Sequence, residues 1–308
     1  MLWEFIANLK SGFPNLFIVG APKCGTTSMY AYLKSHPEIF MSETKEINYF
    51  GKDLQWYNSK NRVLGDKKYM SHFADSDGYK IIGEASTIYI HSQMACDEIY
   101  DFNPSAKIII MLRNPVDMII SMHSQLLFTG SENEKNLLRA LMLEKSRMEM
   151  HNMPPLIDIA NKLFYIHNVS TIKKNIALFY QRFGKQNVHL VLFDDMKKNP
   201  SIEYTKVLNF LGVDVQHKTD FIVYNKRKTY RYDFLRKFIR KFSPTLGSLR
   251  ANFISKPIGI MKLLERVNSK KNQYTINEDT LKFIYHEIGD TINELEKYIN
   301  RDLSHWKN

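Results

Sequence analysis

Cysteine is almost absent from this sequence: among 308 residues there are two, Cys24 and Cys96. Two separated cysteines cannot provide a disulfide framework, and they do not form a zinc-binding pattern. Isolated histidines such as His36 and His72 show no metal-ligand spacing and are interpreted as structural. We therefore expect a protein of a reducing, cytoplasmic compartment that needs no metal.

A long apolar run is also missing. The N-terminal stretch MLWEFIANLKSGFPN is too short and too polar for a membrane span or a signal peptide. Residues 2–9 could form a helix that lies in a membrane interface, although a helix packed on the domain is the simpler interpretation. No repeat or low-complexity linker divides the chain, so we expect a single domain over residues 1–308.

Acidic residues are scarce relative to basic ones. The chain has 32 Asp and Glu against 43 Lys and Arg, a formal net charge of +11. Such an excess indicates an anionic partner, and nucleic acid, an acidic polymer, a membrane surface or an anionic cofactor would all fit.

Short apolar runs alternate with helical patterns along the chain. The runs lie at residues 16–19, 80–85, 107–113 and 188–193, and their continuous Ile, Val and Leu content is typical of strands buried on both faces. Between and after them, apolar residues step by three and four, as in Val169–Phe183 and Leu281–Ile299. This alternation predicts a P-loop-type α/β domain with a central parallel sheet flanked by helices on both faces.

The stretch GAPKCGTT, residues 20–27, resembles a phosphate-binding loop in which the lysine has moved. Gly20 and Gly25 have the usual spacing, but Thr26 occupies the lysine position and Lys23 lies inside the loop. A helix predicted to begin near Thr26 would offer N–H groups to an anion, with hydroxyls from Thr26, Thr27 and Ser28. The pattern favours a site for one phosphate, and a structural turn that binds nothing remains the alternative.

Two further segments carry candidate functional residues. Arg113 ends the strongest predicted strand, where open α/β sheets bind ligands, and Ser121 lies two turns into the helix that follows; together they could bind a second phosphate. Glu46, in SETKEINYFG, could remove a proton from an incoming hydroxyl or amine if it lies near the loop. The alternatives are a capping arginine with an exposed serine, and a surface glutamate paired with Lys45.

Taken in order, these motifs resemble the PAPS-dependent sulfotransferases, in particular the carbohydrate branch that includes heparan sulfate sulfotransferases. PAPS is 3′-phosphoadenosine 5′-phosphosulfate. The family's P-K-x-G-T-T loop corresponds to residues 22–27, its R-[ND]-P-x-x-x-x-x-S motif to residues 113–121, and its K-E-x-x-[FY]-F segment to residues 45–50. GEASTIY (83–89), the region 192–214 and RDLSHW (301–306) also resemble family segments, so the resemblance covers about residues 14–306.

The resemblance implies a role for each motif. The loop would bind the 5′-phosphosulfate through Lys23, Cys24, Gly25, Thr26, Thr27 and Ser28. Arg113 and Ser121 would bind the 3′-phosphate, which ATP lacks. Lys23 would stabilise the leaving phosphate and Glu46 would deprotonate the acceptor, which attacks sulfur in line. A carbohydrate acceptor is expected, and a glycolipid headgroup or a phenol is the alternative.

Several positions depart from the pattern of the heparan-type enzymes. Asn48 and Gly51 stand where those enzymes often have His and Asp, and Ala85 replaces a lysine. Met118 and His123 replace an arginine and a tyrosine; His123 is expected to pack rather than to act. A cysteine pair found in Golgi relatives is missing, as expected of a cytoplasmic, bacterial member. These departures concern the acceptor and any helper of Glu46, and they leave the cofactor implied by the resemblance unchanged.

The stretch NKRKTYRYDFLRKFIRKF, residues 225–242, is strongly basic. Its first half resembles the family's last cofactor loop, and the candidates there are Arg227, Lys228 and Arg231. Residues 231–242 could contact an acidic glycan or an anionic membrane at the inner face, or could be a solvated basic face over a packed apolar stripe.

Two other functions compete with sulfuryl transfer. A kinase-like P-loop protein would use ATP and magnesium, but the lysine is missing at Thr26. A nucleic-acid-binding protein would explain the net charge, but no recognised DNA- or RNA-binding signature is present, and we expect no specific nucleic-acid partner.

Overall fold

Five strands form a parallel sheet at the centre of a computed structural model of the chain. The strand order is β2-β3-β1-β4-β5, and every neighbouring pair is parallel. All residues of β1 and β3 are buried, which requires cover on both faces of the sheet. The predicted parallel α/β sheet with helices is confirmed. The strands are β1 (Leu16–Gly20), β2 (Ile39–Met41), β3 (Ile81–Ala85), β4 (Lys107–Leu112) and β5 (Val188–Leu192).

The apolar runs of the sequence predicted four of these strands within a residue or two. β2 was not predicted, because its three residues are too few to show a period. It pairs with β3, with Ile39 opposite Ile81, and so forms one edge of the sheet.

The helices follow the apolar spacing of the sequence. On the helix Glu278–Ile299, for example, Ile284, Ile288, Ile292 and Leu295 form the buried face. Within the described residues the helices are α1 (Thr26–Lys34), α2 (Asp66–Met70), α3 (Ala95–Phe102), α4 (Pro115–Thr129), α5 (Leu137–Met142), α6 (Glu144–Met148), α7 (Tyr165–Ser170), α8 (Ile172–Phe183), α9 (Phe193–Lys198), α10 (Pro200–Leu211) and α11 (Glu278–Ile299).

The charged segment 131–150 does not form one continuous helix. It forms a loop followed by the short helices α5 and α6, and Arg147 is completely buried. The guanidinium donates two hydrogen bonds to the buried carboxylate of Glu132, at 2.7 and 2.9 Å. A buried ion pair therefore anchors the loop that follows α4.

The order of the strands creates a crevice at one edge of the sheet. From β1 the chain crosses to β2 on one side, and from β4 it crosses to β5 on the other. The carboxyl ends of β1 and β4 are adjacent at this reversal, where open α/β sheets bind ligands. The loop 20–27 leaves β1 here, and Arg113 directly follows β4.

The structure describes residues 12–56, 65–222, 228–230, 269–271 and 276–307. The N-terminal segment 2–9 and most of the basic stretch 225–242 lie outside these ranges. Among the described residues, no helix is both long and apolar enough to cross a membrane.

Candidate active site

The loop between β1 and α1 has the backbone of an anion cradle. Gly25 precedes α1 at φ 85°, and a Cβ there would lie 2.5 Å from the Met196 side chain and 2.8 Å from Phe193. Only glycine suits this position, because it tolerates both the positive φ and the close contact. The first turn of α1 then faces the crevice with Thr26, Thr27 and Ser28.

Cys24 and Lys23 point in different directions from this loop. Cys24 is fully buried, and burial raises the pKa of its thiol to about 12, so its side chain stays a neutral part of the core. Any contact of Cys24 with a ligand would come from its backbone. Lys23, at φ 68°, lines the crevice and its ammonium donates to the side-chain oxygen of Gln125 on α4.

Arg113 joins the loop to the second motif. One guanidinium nitrogen donates to the Lys23 carbonyl at 3.3 Å, the other pairs with Asp117 at 2.8 Å, and the group lies 4.6 Å from the centre of the Phe193 ring. Its Nε is buried and has no hydrogen-bond partner among the described residues. Ser121, also buried, lines the same crevice.

Local sequence explains why Arg113 sits at this point. Asn114 accepts hydrogen bonds from the N–H groups of Val116 and Asp117, and Pro115 occupies the first turn of α4, so the helix must begin directly after the arginine. The Asn114 side chain also reaches the backbone oxygen of Trp306, which anchors the chain's C-terminal turn beside the motif.

Glu46 lies in the segment after β2, where its N–H donates to the carbonyl of Ala85, the last residue of β3, at 2.9 Å. Thr87 donates to both carboxylate oxygens, through its N–H and its hydroxyl, each at 3.0 Å. Lys45 pairs with one of these oxygens at 2.8 Å, as the surface-pair interpretation required, but Glu46 also faces the cavity. The Glu46 side chain remains 39% exposed, so an acceptor can reach it.

One cavity of about 550 Å³ brings the predicted site residues together. Of the residues singled out from the sequence, it is lined by Lys23, Gly25, Thr26, Thr27, Ser28, Glu46, Arg113 and Ser121. Cys24 and His123 do not line it. His123, on α4, is buried and contacts the Glu134 carbonyl at 2.8 Å, as expected of a packing residue. In the described part of the chain, no group of three His, Cys, Asp or Glu residues could hold a metal ion.

The basic cofactor loop expected at 225–231 is only partly described. Arg227 and Arg231 lie outside the described residues, as does the segment 231–242, so their contacts remain predictions. Lys228 begins a short strand, β6 (Lys228–Tyr230), which pairs antiparallel with β7 (Ser269–Lys271). The backbone of β6 lies next to α4, the helix that carries Ser121.

The cavity also contains residues that the sequence analysis did not single out. Thr87 holds the carboxylate of Glu46, and it lies in the GEASTIY segment that carried part of the resemblance. The cavity is also lined by Gln125, by Phe193 and by the ion pair of Asp158 with Lys162, at 2.8 Å. No local spacing links these positions to the loop, because the fold alone brings them together.

A helix N-terminus that faces a crevice at the carboxyl edge of a parallel sheet is the arrangement of P-loop-type α/β proteins, and the fold belongs to this class. The sequence profile of the sulfotransferase domain matches residues 13–241, well over half of the chain. The chain therefore belongs to the sulfotransferase family, and the family predicted from its motifs is confirmed.

Its relatives include enzymes named for carbohydrate acceptors. The chain is 24% identical over 66% of its length to the bifunctional heparan sulfate N-deacetylase/N-sulfotransferase 1 of Caenorhabditis briggsae, and 24% identical over 65% to human carbohydrate sulfotransferase 15. The matches span 22% and 44% of those proteins, less than half of either.

A solved structure supports the fold. The crystal structure of a sulfotransferase from Alicyclobacillus acidocaldarius, 24% identical, superposes with a TM-score of 0.71, covering 96% of this chain and 99% of that one. At 24% identity this similarity establishes the fold, and the reaction has to be inferred from the residues of the site.

Proposed function

We propose that this protein transfers a sulfuryl group from PAPS to a hydroxyl or amine of a carbohydrate acceptor. The observation that carries the proposal is the shared cavity, in which a displaced lysine, an arginine for a second phosphate and a carboxylate face one another. ATP-dependent transfer would place a lysine at Thr26, and the chain has none there.

The residues present fit the donor. The buried Nε of Arg113 has no partner within the described residues and would be satisfied by a phosphate oxygen. Ser121 would bind the same 3′-phosphate, while the α1 N-terminus with Thr26, Thr27 and Ser28 would bind the 5′-phosphate. Gly25 lets the loop keep this conformation, because a Cβ there would collide with Met196 and Phe193.

Two side chains of the protein, Lys23 and Glu46, would have separate roles in the transfer. PAPS supplies the sulfuryl group and a 5′-phosphate as leaving group. Lys23 provides a positive charge where negative charge develops, which lowers the barrier. Glu46, held at both oxygens by Thr87, accepts the acceptor's proton.

The acceptor would bind at the end of the cavity formed by Thr129, Ser131, Asp158 and Lys162. The carboxylate of Asp158 accepts hydrogen bonds and the ammonium of Lys162 donates them, a combination that suits neighbouring hydroxyls of a sugar ring. The paired charges largely cancel, so hydrogen bonds and not a net charge would orient the sugar unit at this end.

Lys23→Ala tests the proposed chemistry. We expect kcat to fall by about 10²–10³-fold, because the charge on the leaving phosphate loses its stabilising cation, while the affinity for adenosine 3′,5′-bisphosphate falls much less. Transfer of ³⁵S from labelled PAPS to N-deacetylated heparosan measures kcat. Lys34→Ala, which removes a lysine at the far end of α1, is the control and should leave kcat unchanged. A Lys23→Ala variant as active as Lys34→Ala would contradict the proposal.

Asp158→Asn and Lys162→Met test the acceptor end. Each should raise KM for the acceptor by about tenfold, the effect of one charge-assisted hydrogen bond, with unchanged bisphosphate affinity. Lys282→Met, which breaks an exposed ion pair of the same spacing on α11, is the matched control. An unchanged KM for the acceptor in both cavity variants would exclude this end as the acceptor site.

A further inference from the structure

The segment that carries Glu46 has an unusual backbone. Glu46 and Asn48 both have positive φ, 60° and 54°, a conformation that residues with a Cβ rarely adopt. Such a conformation persists only where surrounding contacts fix it. Contacts outside the segment must therefore determine where the Glu46 carboxylate points.

Two hydroxyls hold this backbone through its N–H groups. The Ser86 hydroxyl accepts from the N–H of Asn48 at 3.0 Å. The Tyr89 hydroxyl accepts from the N–H groups of Tyr49 and Phe50, at 2.8 and 3.2 Å. Three consecutive backbone donors are thus bound by side chains that follow β3.

Both hydroxyls donate their own protons to one buried carboxylate. Glu84, on β3, is completely buried and accepts from Ser86 at 3.1 Å on one oxygen and from Tyr89 at 3.2 Å on the other. Tyr69 donates to the same oxygen as Tyr89, at 3.1 Å. Because a hydroxyl that donates to a carboxylate directs its lone pairs elsewhere, Glu84 fixes which way the hydroxyls face.

We propose that Glu84 is a positioning residue, whose carboxylate orients the hydroxyls of Ser86 and Tyr89 so that they bind the backbone of residues 48–50 and hold Glu46 in its reactive position. Glu84 itself touches neither the cavity nor a ligand site. The inference rests on the proposed function for Glu46, but the backbone restraint can be measured without an acceptor.

Other properties of Glu84 agree with this role. Burial raises the pKa of the Glu84 carboxyl to about 7, and hydrogen bonds from Ser86, Tyr69 and Tyr89 oppose that rise. Burying a carboxylate costs free energy unless hydrogen bonds compensate for the lost water. Here the compensating hydroxyls of Ser86 and Tyr89 also accept the backbone N–H groups of residues 48–50, so the network links Glu84 to the Glu46 segment. The aromatic ring of Tyr49, stacked on Tyr69 with ring centres 4.0 Å apart, packs the other side of the segment.

Two tyrosines provide a matched pair of variants. Tyr69→Phe and Tyr89→Phe each remove one buried hydroxyl that donates to the same oxygen of Glu84. Of these two tyrosine hydroxyls, the contacts of the described residues show only that of Tyr89 accepting backbone N–H groups of the Glu46 segment, those of Tyr49 and Phe50. A purely structural role of the network predicts equal effects from the two variants, whereas a positioning role predicts effects from Tyr89→Phe alone.

Hydrogen exchange and kinetics distinguish the positioning role from the purely structural role. In Tyr89→Phe the amides of Tyr49 and Phe50, which lose their acceptor, should exchange about fivefold faster than in the wild type, and kcat should fall about tenfold at unchanged bisphosphate affinity. Tyr69→Phe should leave both near the wild-type values. Glu84→Gln, which keeps the shape but replaces an acceptor by an N–H donor, should resemble Tyr89→Phe.

Equal loss of kcat in Tyr69→Phe and Tyr89→Phe, or wild-type exchange in Tyr89→Phe, would overturn the proposal. The failure of the proposed function looks different. A wild-type protein that binds no bisphosphate and transfers no sulfate would refute sulfuryl transfer, while the exchange comparison would still decide whether Glu84 restrains the segment.

Discussion

Replacing Glu46 with glutamine should lower kcat by about 10²–10⁴-fold, the usual contribution of a positioned general base. Glutamine has nearly the same shape, but it cannot accept the proton of the attacking hydroxyl or amine. The affinity for adenosine 3′,5′-bisphosphate should stay near the wild-type value, because Arg113, Ser121 and the loop are untouched. The decrease should therefore appear in turnover and not in cofactor binding.

A second variant separates the chemistry of Glu46 from its placement. Thr87→Ala keeps the carboxylate but removes the hydroxyl that donates to it at 3.0 Å. We expect about a tenfold loss of kcat from this variant, since the backbone N–H of residue 87 still holds the other oxygen. Glu46→Gln with wild-type turnover on N-deacetylated heparosan would show that another group removes the proton.

Replacing Arg147 with methionine should lower the free energy of unfolding by about 3–5 kcal/mol, because it leaves the buried carboxylate of Glu132 without its cation. Both side chains are inaccessible to solvent, so water cannot replace the lost charge. Tyr165 and the N–H groups of Asn133 and Glu134 still donate hydrogen bonds to Glu132 in the variant. Because these bonds partly stabilise the unpaired carboxylate, we expect a destabilised protein that still folds. Urea denaturation measures the change.

Two further variants show whether the buried charge is the cause. The double variant Glu132→Gln/Arg147→Met has no unpaired buried charge and should recover part of the lost stability. Lys282→Met, which breaks the exposed pair with Glu278, should change stability by less than about 1 kcal/mol. An Arg147→Met loss as small as that of Lys282→Met would contradict the assignment of the ion pair as the anchor of the loop after α4.

Residues whose position depends on neighbours in the chain were predictable from the sequence. Gly25 and the α1 N-terminus follow from local spacing, and Arg113 follows from the end of a strongly apolar strand. The parallel sheet was predictable for a similar reason, since strands buried on both faces are apolar throughout. The order of the motifs then predicted the family, and the profile match confirmed it.

Residues whose role depends on distant contacts were not predictable. Arg147 and Glu132 look like surface charges in the sequence, because nothing local shows that the two will meet in the interior. The hydrogen bonds of Glu84 could not be predicted from the sequence either. Its partners Tyr69 and Tyr89 lie on either side of it in the chain, and only folding brings both hydroxyls to one carboxylate. The Asp158–Lys162 pair was missed because its relevance comes from the cavity and not from its spacing.

The central claim is that Arg113 and the loop bind a nucleotide with a 3′-phosphate. Calorimetric titration of the protein with adenosine 3′,5′-bisphosphate and with ATP, without magnesium, tests it most directly. Arg182→Ala is the matched control, since Arg182 also pairs with an aspartate and stacks on an aromatic ring, that of Tyr100. We predict that the bisphosphate binds far more tightly than ATP, that Arg113→Ala abolishes this preference, and that Arg182→Ala retains it. Equal affinity for both nucleotides, or a preference that survives Arg113→Ala, would contradict the account.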